Sequence, residues 1–66
     1  MKIEVNGEAR EVRDGLSLAE LIATLALEGS RYAVEVNEEL IPRSEHADCV
    51  LKENDRVEVV QAIGGG

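Results

Sequence analysis

Phenylalanine and tryptophan are absent from this 66-residue chain, which carries one tyrosine (Tyr32), one cysteine (Cys49), one histidine (His46) and one proline (Pro42). A single cysteine cannot form an internal disulfide, a four-cysteine zinc site or an iron–sulfur cluster. With Tyr32 as the single aromatic side chain there is no platform on which successive nucleobases could stack. Basic residues are also scarce. Seven Lys and Arg stand against fourteen Asp and Glu, a formal net charge of −7. A pI near 4.5 argues against a surface that tracks phosphates, so no nucleic-acid partner is expected. Long apolar runs are missing too. The first residues, Met1-Lys2-Ile3-Glu4-Val5, contain no apolar core of a signal peptide. The longest nearly apolar stretch, residues 21–27, is far short of the roughly 18 residues a membrane span needs. These exclusions leave the expectation of a soluble, acidic, cytoplasmic single domain with no membrane contact.

What is present suits a small globular fold. Hydrophobic residues make up 44% and charged residues 32%, a mixture that can fold rather than stay disordered. A chain this short buries only about 60% of its unfolded surface, so a roomy internal active site is not expected. Fourteen positions are candidate core: Ile3, Val5, Val12, Leu16, Leu18, Leu21, Ile22, Leu25, Val34, Val36, Ile41, Leu51, Val57 and Val59.

Their spacing predicts the elements. Ile3 and Val5 alternate with polar neighbours, the period of a half-buried strand. Asn6-Gly7 follows, the strongest two-residue hairpin signal, because both positions tolerate the positive φ of a type I′ turn. The return strand, residues 8–13, is mostly polar and reads as an edge. Ser17 stands three residues before Glu20, the spacing of a capping box. Leu18, Leu21, Ile22 and Leu25 then form one helical stripe. The helix is expected over residues 18–27, with Gly29 as its left-handed stop. Tyr32, Val34 and Val36 mark a third strand. Asn37-Glu38-Glu39 is turn-like, and Leu40-Ile41 resumes an extended run before Pro42. Residues 44–49 suit a short helical turn capped by Ser44. Asn54 is the expected left-handed residue of a second tight turn. The last strand, residues 56–62, turns Val57 and Val59 inward and leaves Val60 and Ala62 on the opposite face. One helix can cover one face of such a sheet. The prediction is therefore an α+β domain with a mixed sheet of four or five strands wrapped on one main helix, the β-grasp topology of ubiquitin-like proteins.

No catalytic or metal-binding group is expected in that body. Cys49 and His46 are three residues apart, but a nucleophilic thiol also needs an electropositive setting, which an acidic chain does not offer. Cys49 reads as a small half-buried side chain and His46 as a surface residue. The Glu38-Glu39 pair reads as solvated. The end of the sequence is different. Gly64, Gly65 and Gly66 have no side chains to pack, so the domain is expected over residues 1–63 and a tail over residues 64–66. Three extended residues reach about 10 Å, and without Cβ atoms they fit a narrow channel on another protein. An α-carboxylate at Gly66 would be ionised at neutral pH, its reference pKa being about 3.5.

Several segments together resemble the ThiS family of sulfur carriers. They are Asn6-Gly7, the run Leu16-Ser17-Leu18-Ala19-Glu20-Leu21-Ile22, and Val36-Asn37 leading to Ile41-Pro42-Arg43. The last is Asp55-Arg56-Val57-Glu58-Val59-Val60 running to the terminal glycines. The resemblance covers essentially the whole chain. Two departures stand out: Glu38 replaces the glycine usual after Asn37, and Glu53-Asn54-Asp55 replaces a glycine-containing turn. The resemblance implies that the Gly66 carboxylate is adenylated by a ThiF-like enzyme using ATP and Mg²⁺. Sulfur from a cysteine desulfurase then replaces AMP, and the thiocarboxylate serves a ThiG-like thiazole synthase in thiamin formation. It further implies that Gly65 and Gly64 lie in partner channels and that Ile63, Ala62 and Val60 form a docking patch. The carrier itself would bind no cofactor and catalyse nothing.

Three other readings fit parts of the pattern. The MoaD small subunit of molybdopterin synthase shares the fold and the diglycine but is usually longer between helix and last strand. A ubiquitin-like modifier would be conjugated to lysine through Gly66. A plain interaction domain would not need the terminal glycines.

Overall fold

The computed structural model describes residues 1–27, 29 and 31–61. Its elements are β1 (Lys2–Val5), β2 (Glu8–Glu11), α1 (Leu18–Thr24), β3 (Tyr32–Val36), β4 (Glu39–Leu40), a 3₁₀ turn (Arg43–Glu45) and β5 (Arg56–Gln61). The five strands form one sheet in the order β2-β1-β5-β3-β4. Only the β1–β5 pairing is parallel. The strand latest in sequence is thus central, and the two weakest strands are the edges. This is the β-grasp arrangement, with five strands.

Two turns of one kind shape the sheet. Asn6 (φ 50°) and Gly7 (φ 84°) join β1 to β2, and Asn37 (φ 52°) and Glu38 (φ 70°) join β3 to β4. Both are two-residue loops with positive φ at both positions, whose twist matches that of the flanking strands. The second turn pairs Val36 with Glu39, so β4 begins one residue earlier than Leu40 and ends at Leu40. The polar return strand is also shorter than expected. It ends at Glu11, although Val12 still donates its N–H to the Met1 carbonyl at 2.8 Å. Asn54 is left-handed (φ 71°), as its turn requires.

All fourteen core candidates pack together. Ile3, Val5, Leu18, Leu21, Val34, Leu51 and Val57 are buried, and the other seven are half-buried against them. The sheet contributes alternate residues and α1 contributes its stripe, the match between period two and period 3.6 that burial of one face demands. The helix start is fully provided with acceptors. The Leu18 and Ala19 N–H groups donate to the carbonyls of Cys49 (2.7 Å) and His46 (3.0 Å). The Glu20 N–H donates to Ser17 Oγ (3.1 Å), while the Ser17 N–H donates to Glu20 Oε1 (3.0 Å), completing the capping box.

Two boundaries fall elsewhere than expected. α1 stops at Thr24, not near residue 27. The Thr24 hydroxyl donates back to the Leu21 carbonyl at 2.7 Å and the Leu25 N–H closes on Ile22, tightening the last turn. The left-handed residue next in line is Ala26 (φ 52°); Gly29 is left-handed as well, but too far on to be the cap. The short turn after β4 begins at Arg43, with Pro42 in the extended cap position and no side-chain cap from Ser44. Proline's fixed φ starts this turn without help.

Two predictions follow the backbone. Glu38 occupies a left-handed conformation that costs an L-residue roughly 1–2 kcal/mol. Glycine removes that cost but adds unfolded-state entropy, so Glu38→Gly should stabilise the domain by about 0.5–1 kcal/mol. Chemical denaturation should show the gain, and an unchanged or lowered midpoint would contradict it. The capping box makes a pH signature. Hydrogen bonds from Ser17, aided by Arg13, hold the Glu20 carboxyl below its ordinary value of 4.5. A lowered native pKa contributes stability that is complete above the unfolded value and lost as pH falls through the native one. Glu20→Gln should therefore destabilise at neutral pH and make little difference near about pH 3, read as urea midpoints at the two pH values.

Candidate functional site

The end of β5 is where the sequence places its functional residues, and the structure shows how firmly that strand is held. On one side it pairs with β1 through Glu4–Arg56 and Val5–Val57, and on the other with β3 over all five residues from Val57 to Gln61. Backbone pairing with β1 runs out where that strand turns, and there a side chain takes over. Asn6 Oδ1 accepts the Val59 N–H at 2.8 Å. The same device recurs at the other turn. Asn37 Oδ1 accepts the Arg56 N–H at 2.9 Å, and Asn37 Nδ2 donates to Asp55 Oδ1 at 2.9 Å. Asp55 Oδ2 in turn accepts the Lys52 N–H at 2.8 Å. Both asparagines read in the sequence only as turn formers. Their second role needs the β1–β5 and β3–β5 neighbours, which one sequence does not display.

The alternation along β5 is the one expected. Val57 is buried and Val59 half-buried, while Val60 is 61% exposed on the face that α1 does not cover. Beside it is a shallow depression lined by Arg31, Tyr32, Ala33, Val60 and Gln61. Ala62, Ile63, Gly64, Gly65 and Gly66 lie outside the described residues, as does the expected boundary after residue 63.

His46 corrects the sequence reading. It is buried, not on the surface: its Nε2 lies 3.0 Å from the Ile41 carbonyl, and its ring stacks on Tyr32 at 6.5 Å between centroids. The Arg43 guanidinium covers Tyr32, 4.2 Å from the ring centroid. The His46 carbonyl accepts from the start of α1, which draws the side chain inward. The residue is part of the core scaffold. Cys49 is half-buried, as expected. Burial pushes its thiol pKa up, and the carboxylates of Asp55, Glu45 and Glu39 push the same way. That setting keeps the sulfur protonated and opposes nucleophilic use. Among the described residues no group of three or more His, Cys, Asp or Glu side chains could hold a metal ion. No helix among them is long and apolar enough to cross a membrane.

The profile of the ThiS family matches residues 3–66. The chain belongs to the ThiS family. The crystal structure of a thiamine biosynthesis protein (ThiS) from Geobacter metallireducens superposes with a TM-score of 0.85 at 30% identity, covering the whole of both chains. The sulfur carrier protein ThiS of Escherichia coli is 27% identical over 66 residues, again the whole of both. A thiazole synthase of Paramagnetospirillum magneticum is 35% identical over the whole of this chain. There the chain spans only about a fifth of the relative's length, 20% in two such thiazole synthases.

The exposure of Val60 yields a prediction about the body alone. Since the side chain packs under nothing, Val60→Asp should shift unfolding by no more than about 0.5 kcal/mol. A loss of several kcal/mol in urea denaturation would mean that the strand is turned over.

Proposed function

We propose that this chain is a sulfur carrier for thiamine biosynthesis and that its Gly66 carboxylate is the group loaded. The observation that supports this most is the extent of the family match. It runs over the body and on through Gly64, Gly65 and Gly66, three residues without side chains. The names of the relatives, a sulfur carrier and thiazole synthases, favour the thiamine reading over the molybdopterin one.

The chemistry follows from what a carboxylate lacks. Its carbon is a poor electrophile, shielded by delocalised charge. A ThiF-like enzyme holding ATP and Mg²⁺ overcomes this by letting the Gly66 carboxylate attack the α-phosphate, with pyrophosphate leaving. The acyl-adenylate carries a good leaving group, AMP, which the terminal sulfur of a cysteine desulfurase persulfide displaces to give an acyl disulfide. A thiol then reduces the S–S bond, becoming a disulfide itself, and releases the Gly66 thiocarboxylate. The thiocarboxylate then passes sulfur to a thiazole synthase. That partner is supported by the relatives in which a segment like this chain is one fifth of a thiazole synthase. In this scheme Gly65 and Gly64 present no side chain to obstruct a partner channel. Val60, with Ala62 and Ile63, belongs to the surface that docks. The half-buried, protonated Cys49 does not compete for the acyl group.

Intact-mass analysis tests the proposal. After incubation with the adenylating enzyme of the same genome, MgATP, a persulfide donor and a thiol reductant, the chain should gain one sulfur in place of one oxygen, located in the peptide that ends at Gly66. Gly65→Trp should abolish the conversion and leave the unfolding midpoint within about 0.5 kcal/mol of the parent's. No mass change refutes the carrier role, and a ladder of lysine-linked conjugates would establish a modifier instead.

A further inference from the structure

Among the described residues the β3–β5 ladder ends on a pair joined through side chains. The Asn37 N–H donates to the Arg56 carbonyl at 2.8 Å, while the Val34 carbonyl points the other way and accepts from Ile41 at 2.9 Å. Hydrogen-bonded and non-hydrogen-bonded pairs alternate along an antiparallel ladder. Glu35–Glu58 and Ala33–Val60 are therefore bonded pairs, whereas Val36–Val57, Val34–Val59 and Tyr32–Gln61 are not. The two valine pairs lie between bonded neighbours. Tyr32–Gln61 is the last pair of the two described strands. In a pair of this kind the side chains meet closely, with Cβ atoms about 4.5–5.5 Å apart. The Tyr32 ring is in turn held from outside the sheet. His46 stacks on it at 6.5 Å between centroids, and the Arg43 guanidinium lies 4.2 Å from its centroid. His46 is itself fixed, buried with Nε2 3.0 Å from the Ile41 carbonyl. Arg43 opens the 3₁₀ turn that follows Pro42. It belongs to the Ile41-Pro42-Arg43 run, which the loading chemistry leaves without a role.

Resting on the carrier reading above, we propose that Arg43 is a positioning residue for adenylation at Gly66, acting through the Tyr32 ring. A guanidinium is attracted to the face of an aromatic ring and can cover it while staying solvated. Arg43 thereby keeps Tyr32 against Gln61 and closes the end of the ladder. Residues 62–66 follow Gln61, a length that spans at most about 17 Å when extended. The position of Gln61 therefore bounds where the Gly66 carboxylate can be presented. Its attack on the α-phosphate, with pyrophosphate leaving, depends on alignment as well as on binding. A ladder end that opens spreads the carboxylate over more positions, and fewer bound complexes are aligned to react. Arg43 touches neither nucleotide nor carboxylate in this role. An alignment lost after binding lowers kcat and kcat/KM together and leaves KM unchanged.

The test combines steady-state adenylation by the enzyme of the same genome with backbone amide NMR relaxation of the free, full chain. Arg43→Met keeps the apolar stem and loses the cation. It should lower kcat about two- to fivefold, the weight of an exposed cation–ring contact, with KM for the carrier unchanged. Arg43→Lys should restore most of the rate, and Tyr32→Phe, which keeps the ring, should react like the parent. In a Tyr32→Leu background Arg43→Met should have no further effect. In the free protein the Gln61 order parameter should fall in Arg43→Met and recover in Arg43→Lys. A role in stability alone leaves kcat untouched in a folded variant, so an unchanged kcat overturns the proposal. A raised KM, or an equal loss of rate in the Tyr32→Leu background, makes Arg43 a contact of the enzyme and overturns it too. If Tyr32→Leu does not fold, rescue by lysine and the Gln61 relaxation decide. A parent that is not adenylated refutes the carrier reading and the loading role with it, whereas an unchanged Gln61 order parameter refutes the clamp alone.

Discussion

β5 lies between β1, which pairs with Arg56 and Val57, and β3, which pairs with Val57 to Gln61, with the Asn6 side chain taking over on the β1 side at Val59, and the other features of the domain depend on that placement. In a chain of 66 residues the core is small: β1 contributes two buried side chains, β3 and β5 one each, and the edge strands β2 and β4 none. A central strand is the element least able to fray, because leaving the sheet would break two ladders at once. By pairing the last strand in parallel with the first, the fold moves the sequence just before the glycines from the periphery to the middle. The two asparagine side chains extend the same hold beyond the reach of the backbone ladders. Asn37 acts at Arg56, where β5 begins, and Asn6 acts at Val59, one residue before the outward-facing Val60. In the proposed carrier role such anchoring would fix the strand that leads toward Gly66.

Much of this was legible in the sequence, for identifiable reasons. The hairpin at Asn6-Gly7, the capping box of Ser17 and Glu20, and the inward set Val57 and Val59 are local patterns. Their physical cause lies within a few residues, and the structure agrees with each. Where the reading failed, the cause was non-local. The short α1 depends on a Thr24 hydroxyl that takes a backbone carbonyl, an option that stripe counting ignores. His46 is polar and flanked by polar residues, so nothing nearby announced burial. Its place follows from contacts with Tyr32, Ile41 and the start of α1, three separate parts of the chain. The outward position of Val60 was legible from alternation alone. The apposition of Glu35 and Glu58 was not, because it needs the β3–β5 register.

Two features run against stability, and they differ in kind. Glu38 holds a left-handed conformation that glycine would adopt freely, and nothing in the structure explains its choice. Glu35 and Glu58 are direct cross-strand partners on the uncovered face, where like charges oppose pairing, and the exposed Arg56 stands two residues before Glu58 on the same face of β5.

The chemistry of the body is complementary to this. A thiol whose pKa burial and neighbouring carboxylates raise is a poor nucleophile at neutral pH, and an activated acyl group would be short-lived next to a good one. The acidic surface is equally inert toward an acyl-adenylate whose phosphate is itself anionic, and it repels ATP and AMP in solution. In the proposed loading scheme nucleotide would therefore be held by the partner enzyme, and net charge and the protonated cysteine would together keep the body silent while a partner supplies the reactivity.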